Sequence, residues 1–267
     1  MKKLHFVLGF CSIFLISCVN ESVELENGST STNIYMPLAV GNYWTYKVVG
    51  AGSTARDSLY VQKDTVVNGN ISKKMKTKFN PFGFYSNSLN NNTIRQVADK
   101  LLVSGKSNFD FIANLGINVG LTDFVAFKEV TTNNEQVGLV DGEISQIVQG
   151  LNLKVTYNLR SIGLTPLNSF TTSMGKTYAD VKPMKYILTL KVVSPTVIAG
   201  IPFDVTILNT QEVLVSTQYF AKNKGMVFSK TVVNYQLQTL PPGAPTLPIP
   251  QSGTNTQEEF LDTFLAN

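Results

Sequence analysis

Between residues 34 and 237, apolar and polar side chains alternate in short runs separated by turn residues. Trp44, Tyr46 and Val48 share one side of a strand, and Tyr43, Thr45 and Lys47 the other, because successive strand side chains point to opposite faces. Residues 58–67 and 71–79 read as two strands joined by Asn68-Gly69, a pair that accepts the positive φ angles of a type I′ turn. Residues 80–92, with Pro81 and Gly83, read as a loop. Residues 93–97 and 101–104 predict a second hairpin across Asp99-Lys100, and residues 124–130 a further strand. Residues 138–140 run into Asp141-Gly142, which reads as a turn, and strands are predicted at 144–149 and 151–164. In the latter, Leu153, Val155, Tyr157 and Leu159 alternate with Lys154, Thr156, Asn158 and Arg160, the signature of a half-buried strand with one wet face. Runs at 181–193, 203–208, 212–221 and 226–237 complete the series.

The elements are many, short and turn-linked, and no long run of 3.6-residue period interrupts them. The pattern predicts an antiparallel all-β domain over 34–240, either a sandwich or a strongly curved single sheet. The C-terminal end reads differently. Five prolines between Pro241 and Pro250 predict an extended linker over 241–255. Beyond it, Thr256 and Glu259 fit the first and last positions of a capping box. Phe260, Leu261, Phe264 and Leu265 fall on one face of a helix, so a short amphipathic helix is expected over 256–266. It would dock on the β domain or bind a partner protein.

The N-terminus carries an address. Lys2 and Lys3 precede a short apolar run from Leu4 to Ile16, the shape of an export signal and too short to span a membrane as a helix. Leu15-Ile16-Ser17-Cys18 resembles the lipobox of bacterial lipoproteins. The resemblance implies cleavage after residue 17, lipid on Cys18 and a membrane anchor. Residues 18–33 are polar, acidic and without period, and read as a flexible tether.

Composition then narrows the chemistry. The sequence holds one histidine, His5, and two cysteines, Cys11 and Cys18. Cleavage would remove His5 and Cys11 and commit Cys18 to lipid. The mature chain is then expected to lack Ser-His-Asp or Cys-His catalysis, zinc or copper sites built on His and Cys, and disulfides. Loss of Lys2 and Lys3 would halve the formal charge of +4 to +2, which leaves no argument for nucleic-acid binding.

Local motifs add candidates, each with a plain structural counterpart. Lys74, Lys76 and Lys78 alternate and predict a basic stripe, either a solvated sheet face or a site for an anionic glycan or lipid headgroup. Asp141 with Glu143, and Asp110 with Asp123, are the carboxylate pairs in reach of hydrolase chemistry, whose test is their separation. Gly175-Lys176-Thr177 echoes a phosphate loop, but position 170 is Phe where that motif needs Gly, so a turn explains it. No calcium-loop spacing occurs, and no cofactor is expected. Trp44, Tyr43 and Tyr46 serve either as core or as a sugar-stacking platform.

Two phrases carry a family resemblance. Tyr35-Met36-Pro37-Leu38, with Gly41-Asn42-Tyr43-Trp44-Thr45-Tyr46, resembles the opening of Bacteroidota outer-membrane lipoproteins of unassigned role. Tyr219-Phe220-Ala221, followed by Gly225-Met226-Val227, resembles a late phrase of the same proteins. The resemblance implies a long antiparallel sheet curling into a half-barrel. It also implies an outer-membrane location, with the cell surface and the periplasmic face both open. The expected role is a non-enzymatic envelope lipoprotein binding an apolar or glycan ligand. The alternative is a structural or assembly subunit that meets an envelope partner through its C-terminal helix.

Overall fold

The structure, a computed structural model, describes residues 35–50, 52–109, 115–148, 150–198, 201–239 and 250–267. Cys18 and the predicted signal and tether lie outside the described residues. In chain order the elements are β1 (Tyr43–Gly50), β2 (Ser53–Val67), β3 (Asn70–Thr77), α1 (Phe84–Leu89), β4 (Thr93–Val97), β5 (Lys100–Phe109) and β6 (Ile117–Lys128). Then come β7 (Glu135–Val148), β8 (Leu151–Gly163), β9 (Leu167–Thr171), β10 (Thr177–Ile198), β11 (Ile201–Ala221), β12 (Gly225–Gln236) and β13 (Ser252–Leu265).

Twelve strands pair in the order β6-β5-β4-β3-β2-β1-β13-β12-β11-β10-β8-β7, and β9 pairs the start of β10. All pairings are antiparallel. The fold is therefore the curved single sheet, not the sandwich. Register shifts in several ladders, among them Val61/Lys63, Gln136/Gly138 and Leu190/Val192, supply curvature, because each bulge adds a residue to one strand and bends it.

The curl brings the two edge strands, β6 and β7, face to face. No ladder joins them among the described residues, so side chains close the gap. The Ser161 and Tyr186 hydroxyls donate to the carbonyls of Val125 and Ala126. Gln146 Nε2 donates to the Leu115 carbonyl at 2.5 Å, and Lys128 Nζ meets Glu135 Oε1 at 2.6 Å. Each of the three hydrogen bonds to a carbonyl contributes roughly 1 kcal/mol and satisfies an acceptor that a ladder would otherwise take.

The inner face is apolar and aromatic. Trp44, Tyr46, Leu59, Met75, Leu188 and Leu190 are fully buried. The two phrases that bracket the domain in sequence meet here. Trp44 Nε1–H donates to the Lys224 carbonyl at 2.6 Å, and Gly225, at φ +86, lies so close that an added Cβ would sit 2.8 Å from Nε1. Trp44 is core, and the sugar platform is not built.

Four predicted features are corrected. The C-terminal segment is strand β13, not a helix over 256–266, and it pairs with both β1 and β12. A helix of about eleven residues is marginal alone in water, whereas a central strand satisfies its backbone on both sides. Glu259, Phe260 and Leu261 are buried in succession because both sheet faces are covered there. Residues 80–92 contain the helix α1, and Asp141-Gly142 lies within the continuous strand β7. Gly142 is there for close approach, since a Cβ would meet the Tyr157 hydroxyl at 2.7 Å. The runs at 203–208 and 212–221 are one strand, β11, carried across Gln211 and Glu212 by bulges.

Candidate functional site

Three places hold concentrated polar chemistry: the barrel interior around α1, the outer face of β7, β8, β10 and β11, and the β2–β3 hairpin.

In the interior, α1 plugs the barrel. Tyr85 packs edge-on to Tyr46 of β1 at 5.6 Å and to Phe220 of β11 at 6.2 Å, spanning opposite parts of the sheet. A helix start leaves backbone N–H groups without intrahelical partners, and here they point inward. Three side chains from the wall take three of them, and also the Phe82 N–H just before the cap. Asp57 Oδ1 accepts from Phe82 N–H at 2.9 Å and Oδ2 from Gly83 N–H at 2.6 Å. Gln257 Oε1 accepts from Phe84 N–H and Glu259 Oε1 from Tyr85 N–H, both at 2.7 Å. The Ser229 hydroxyl also donates to Glu259 Oε1, at 3.1 Å. Glu259 Oε2 is buried with no hydrogen-bond partner. Burial, with the neighbouring Asp57 charge adding to it, pushes the Glu259 carboxyl up to about 7 against the donors that favour its charge. Burial also raises Asp57 above the ordinary carboxylate range.

Asp57 and Glu259 are thus a facing carboxylate pair that the sequence reading missed. The inward side of an alternating strand is where an apolar residue is expected, so a carboxylate at Glu259 was the available signal. The capping-box spacing places it on its own helix, whereas it caps α1 from strand β13. The pair is committed to backbone N–H groups. The apolar cavity beside α1, lined by Leu121, Phe124, Leu159, Tyr186 and Phe220 among others, is only about 50 Å³. That is room for a few water molecules and for no acyl chain.

On the outer face, the register aligns two polar rows. Asp141, Asn158, Thr189 and Glu212 are successive cross-strand partners from β7 to β11, and Glu143, Thr156 and Lys191 form the row beside them. Their inward-facing neighbours Val155, Leu159, Leu188 and Leu190 are core, which turns the rows to solvent. The bulge near Lys191 hollows this face into a groove of about 440 Å³ that Thr210 also lines. Lys154 pairs with Glu143 and Arg160 with Glu212, each at 3.0 Å, so two of the carboxylates are oriented by cations. Asp141 and Glu143 do lie on one face, side by side along β7 rather than facing each other across a cleft. Asp110 lies outside the described residues, and Asp123 is held by Arg95 at 3.0 Å. The guanidinium holds the Asp123 carboxyl below its ordinary range.

On the hairpin, Lys74 and Lys76 share a face, and both ammonium groups donate to Asn91, one to its carbonyl and one to its side-chain oxygen. Lys78 lies one residue past the end of β3, its N–H donating to the Ser58 carbonyl at 3.2 Å and its ammonium 5.6 Å from the Phe79 ring centre. Lys63, the register partner of Lys74, extends the stripe across β2. Burial, then repulsion from Lys76 and Lys63, hold the Lys74 ammonium below its ordinary range. Gly175, at φ 82, closes the turn before β10, and Thr177 is the first residue of that strand.

Among the described residues no group of three or more His, Cys, Asp and Glu side chains is placed to hold a metal ion, and no helix is long and apolar enough to cross a membrane. No family model matches the chain, and neither a curated protein nor a solved structure matches it.

Proposed function

We propose that this chain is a lipid-anchored, non-enzymatic binding protein of the bacterial cell envelope, held to the outer membrane by lipid on Cys18, and that it takes a glycan in the groove of β7, β8, β10 and β11. The lipobox resemblance at residues 15–18 supports the anchor. The cross-strand rows support the ligand class. Carboxylate, amide and hydroxyl groups stand side by side from Asp141 to Glu212 across four strands, on the order of 14 Å at the usual strand spacing, with the Lys191 ammonium in the row beside them. That is the donor and acceptor mixture that a short oligosaccharide presents in return. The filled interior speaks against the other ligand class, an apolar molecule inside the barrel.

The test is calorimetric titration with a panel of neutral and acidic oligosaccharides, repeated on Asn158→Ala/Thr189→Ala. Binding that weakens about tenfold in the variant supports the reading, as expected from losing two polar contacts. No heat with any saccharide, or equal affinity in the variant, overturns the ligand assignment. Mass analysis of the N-terminal peptide from cell membranes tests the anchor, since an unmodified Cys18 removes it.

A further inference from the structure

We propose that the β2–β3 hairpin is a membrane-contact element, whose apolar tip and lysine collar seat this end of the barrel on an anionic lipid surface. The inference rests on the lipid-anchor reading above and adds to it a second, non-covalent contact.

The hairpin projects. Tyr43, the first residue of β1, pairs with Tyr60, and past Val61, which bonds to Gly41 and Asn42, the rest of β2 has β3 alone as ladder partner. At its tip Asn68 (φ 50) and Gly69 (φ 78) make the two-residue turn the sequence predicts. Just behind the turn Val66 and Ile71 are direct cross-strand partners, 67% and 69% exposed. A pair of aliphatic side chains on a narrow two-stranded tip is too small for a protein interface but suits insertion among lipid chains.

Charge follows immediately behind. Lys63, Lys73, Lys74 and Lys76 stand against one carboxylate, Asp64, which Lys73 holds at 2.5 Å. The collar therefore keeps a net positive charge, and lipid phosphate placed among Lys63, Lys74 and Lys76 relieves their mutual repulsion. Each net lysine near an anionic bilayer strengthens association about fivefold.

The anchor arrives at the same end. Tyr35, the first described residue, packs on Phe127 at 5.3 Å, beside the paired strand ends Lys100 and Lys128. The β4–β5 turn and the β2–β3 tip lie at that end. Cys18 precedes Tyr35 by 17 residues, a reach of at most ~60 Å. Lipid on Cys18 and the hairpin tip can therefore occupy one bilayer. Phe203 and Val197 are also exposed, at the β10–β11 turn, but at the opposite end of the barrel.

Full-length lipidated protein, purified from membranes and reconstituted in phosphatidylcholine/phosphatidylglycerol vesicles with brominated chains, tests this. The Ile71→Trp variant is compared with Phe203→Trp, with the buried Trp44 as common background. Expected is a blue shift and bromine quenching at position 71 and neither at position 203. In Lys63→Gln/Lys74→Gln, or in phosphatidylcholine alone, the inserted fraction of the tip falls, by about fivefold per lysine in the variant. Equal quenching at both positions, or at neither, overturns the proposal. So does quenching indifferent to charge, and so does an unquenched tip protected by a co-purifying protein. The mass of the N-terminal peptide separates the two readings. Lipid present with an unquenched tip defeats the hairpin alone. Lipid absent, with a tip still quenched by added vesicles, defeats the anchor alone.

Discussion

Glu259 is a carboxyl sealed inside a barrel, and its charge carries a cost that depends on pH. Its folded value of about 7 lies above the ordinary 4.5, so the native state holds a proton that the unfolded chain releases in that interval. Stability therefore falls as pH rises from 4.5 to 7, and the loss is complete above 7. The interval corresponds to about 3 kcal/mol. Asp57, raised by burial, adds in the same direction. Asp123 and Glu135, lowered by Arg95 and Lys128, act oppositely. The clean measurement is thus the difference between wild type and Glu259→Gln. Gln keeps the oxygen that accepts from Tyr85 N–H and removes the ionisation. Chemical denaturation at pH 4.5, 6 and 8 is expected to show near-equal stability at the lowest pH. At pH 8 the variant should be more stable by up to about 3 kcal/mol. Parallel pH profiles would show that Glu259 is not the buried group at issue.

At the scale of elements, β13 decides the fold. It is the strip between β1 and β12, so without it the pairing order divides into one half ending at β1 and another ending at β12. A chain stopped after Pro250 is expected to lose its cooperative melt, whereas a peripheral helix would leave the melt nearly unchanged. Thermal unfolding followed by near-ultraviolet circular dichroism distinguishes the two. The misreading of this segment shows where sequence legibility ends. Hairpin β2–β3, with Asn68-Gly69, and strand β8, with its strict alternation, were legible because each declares its own local geometry. Segment 256–265 was not, because Phe260, Leu261, Phe264 and Leu265 fit a helical face as well as a strand. The deciding fact is a partner strand over 200 residues away, with Tyr43 opposite Leu265. The outer groove was half legible for the same reason. Asp141 and Glu143 were singled out, but their row mates Asn158, Thr189 and Glu212 become neighbours only through long-range register.

The whole molecule is a sheet that has curled until its edges meet without joining. Open strand edges invite pairing with other chains, and a closed barrel abolishes them. Here side chains do the closing, so the seam between β6 and β7 is expected to be the least protected line of the barrel. Tyr186→Phe removes the donor to the Ala126 carbonyl and should cost about 1 kcal/mol. Amide hydrogen exchange in β6 is expected to rise in that variant while β11 and β12, buried in the middle of the pairing order, stay slow. Uniform acceleration across the sheet would mean that the seam does not open on its own.

The place of β13 also has a temporal meaning. It follows every other strand in chain order, yet it occupies the middle of the finished sheet. During synthesis β1 and β12 therefore wait, each with one ladder unfilled, until the segment that joins them emerges. Contacts that link distant parts of a chain form slowly, because loop closure precedes any gain from them. Such a chain cannot complete its native barrel before its last strand has been made.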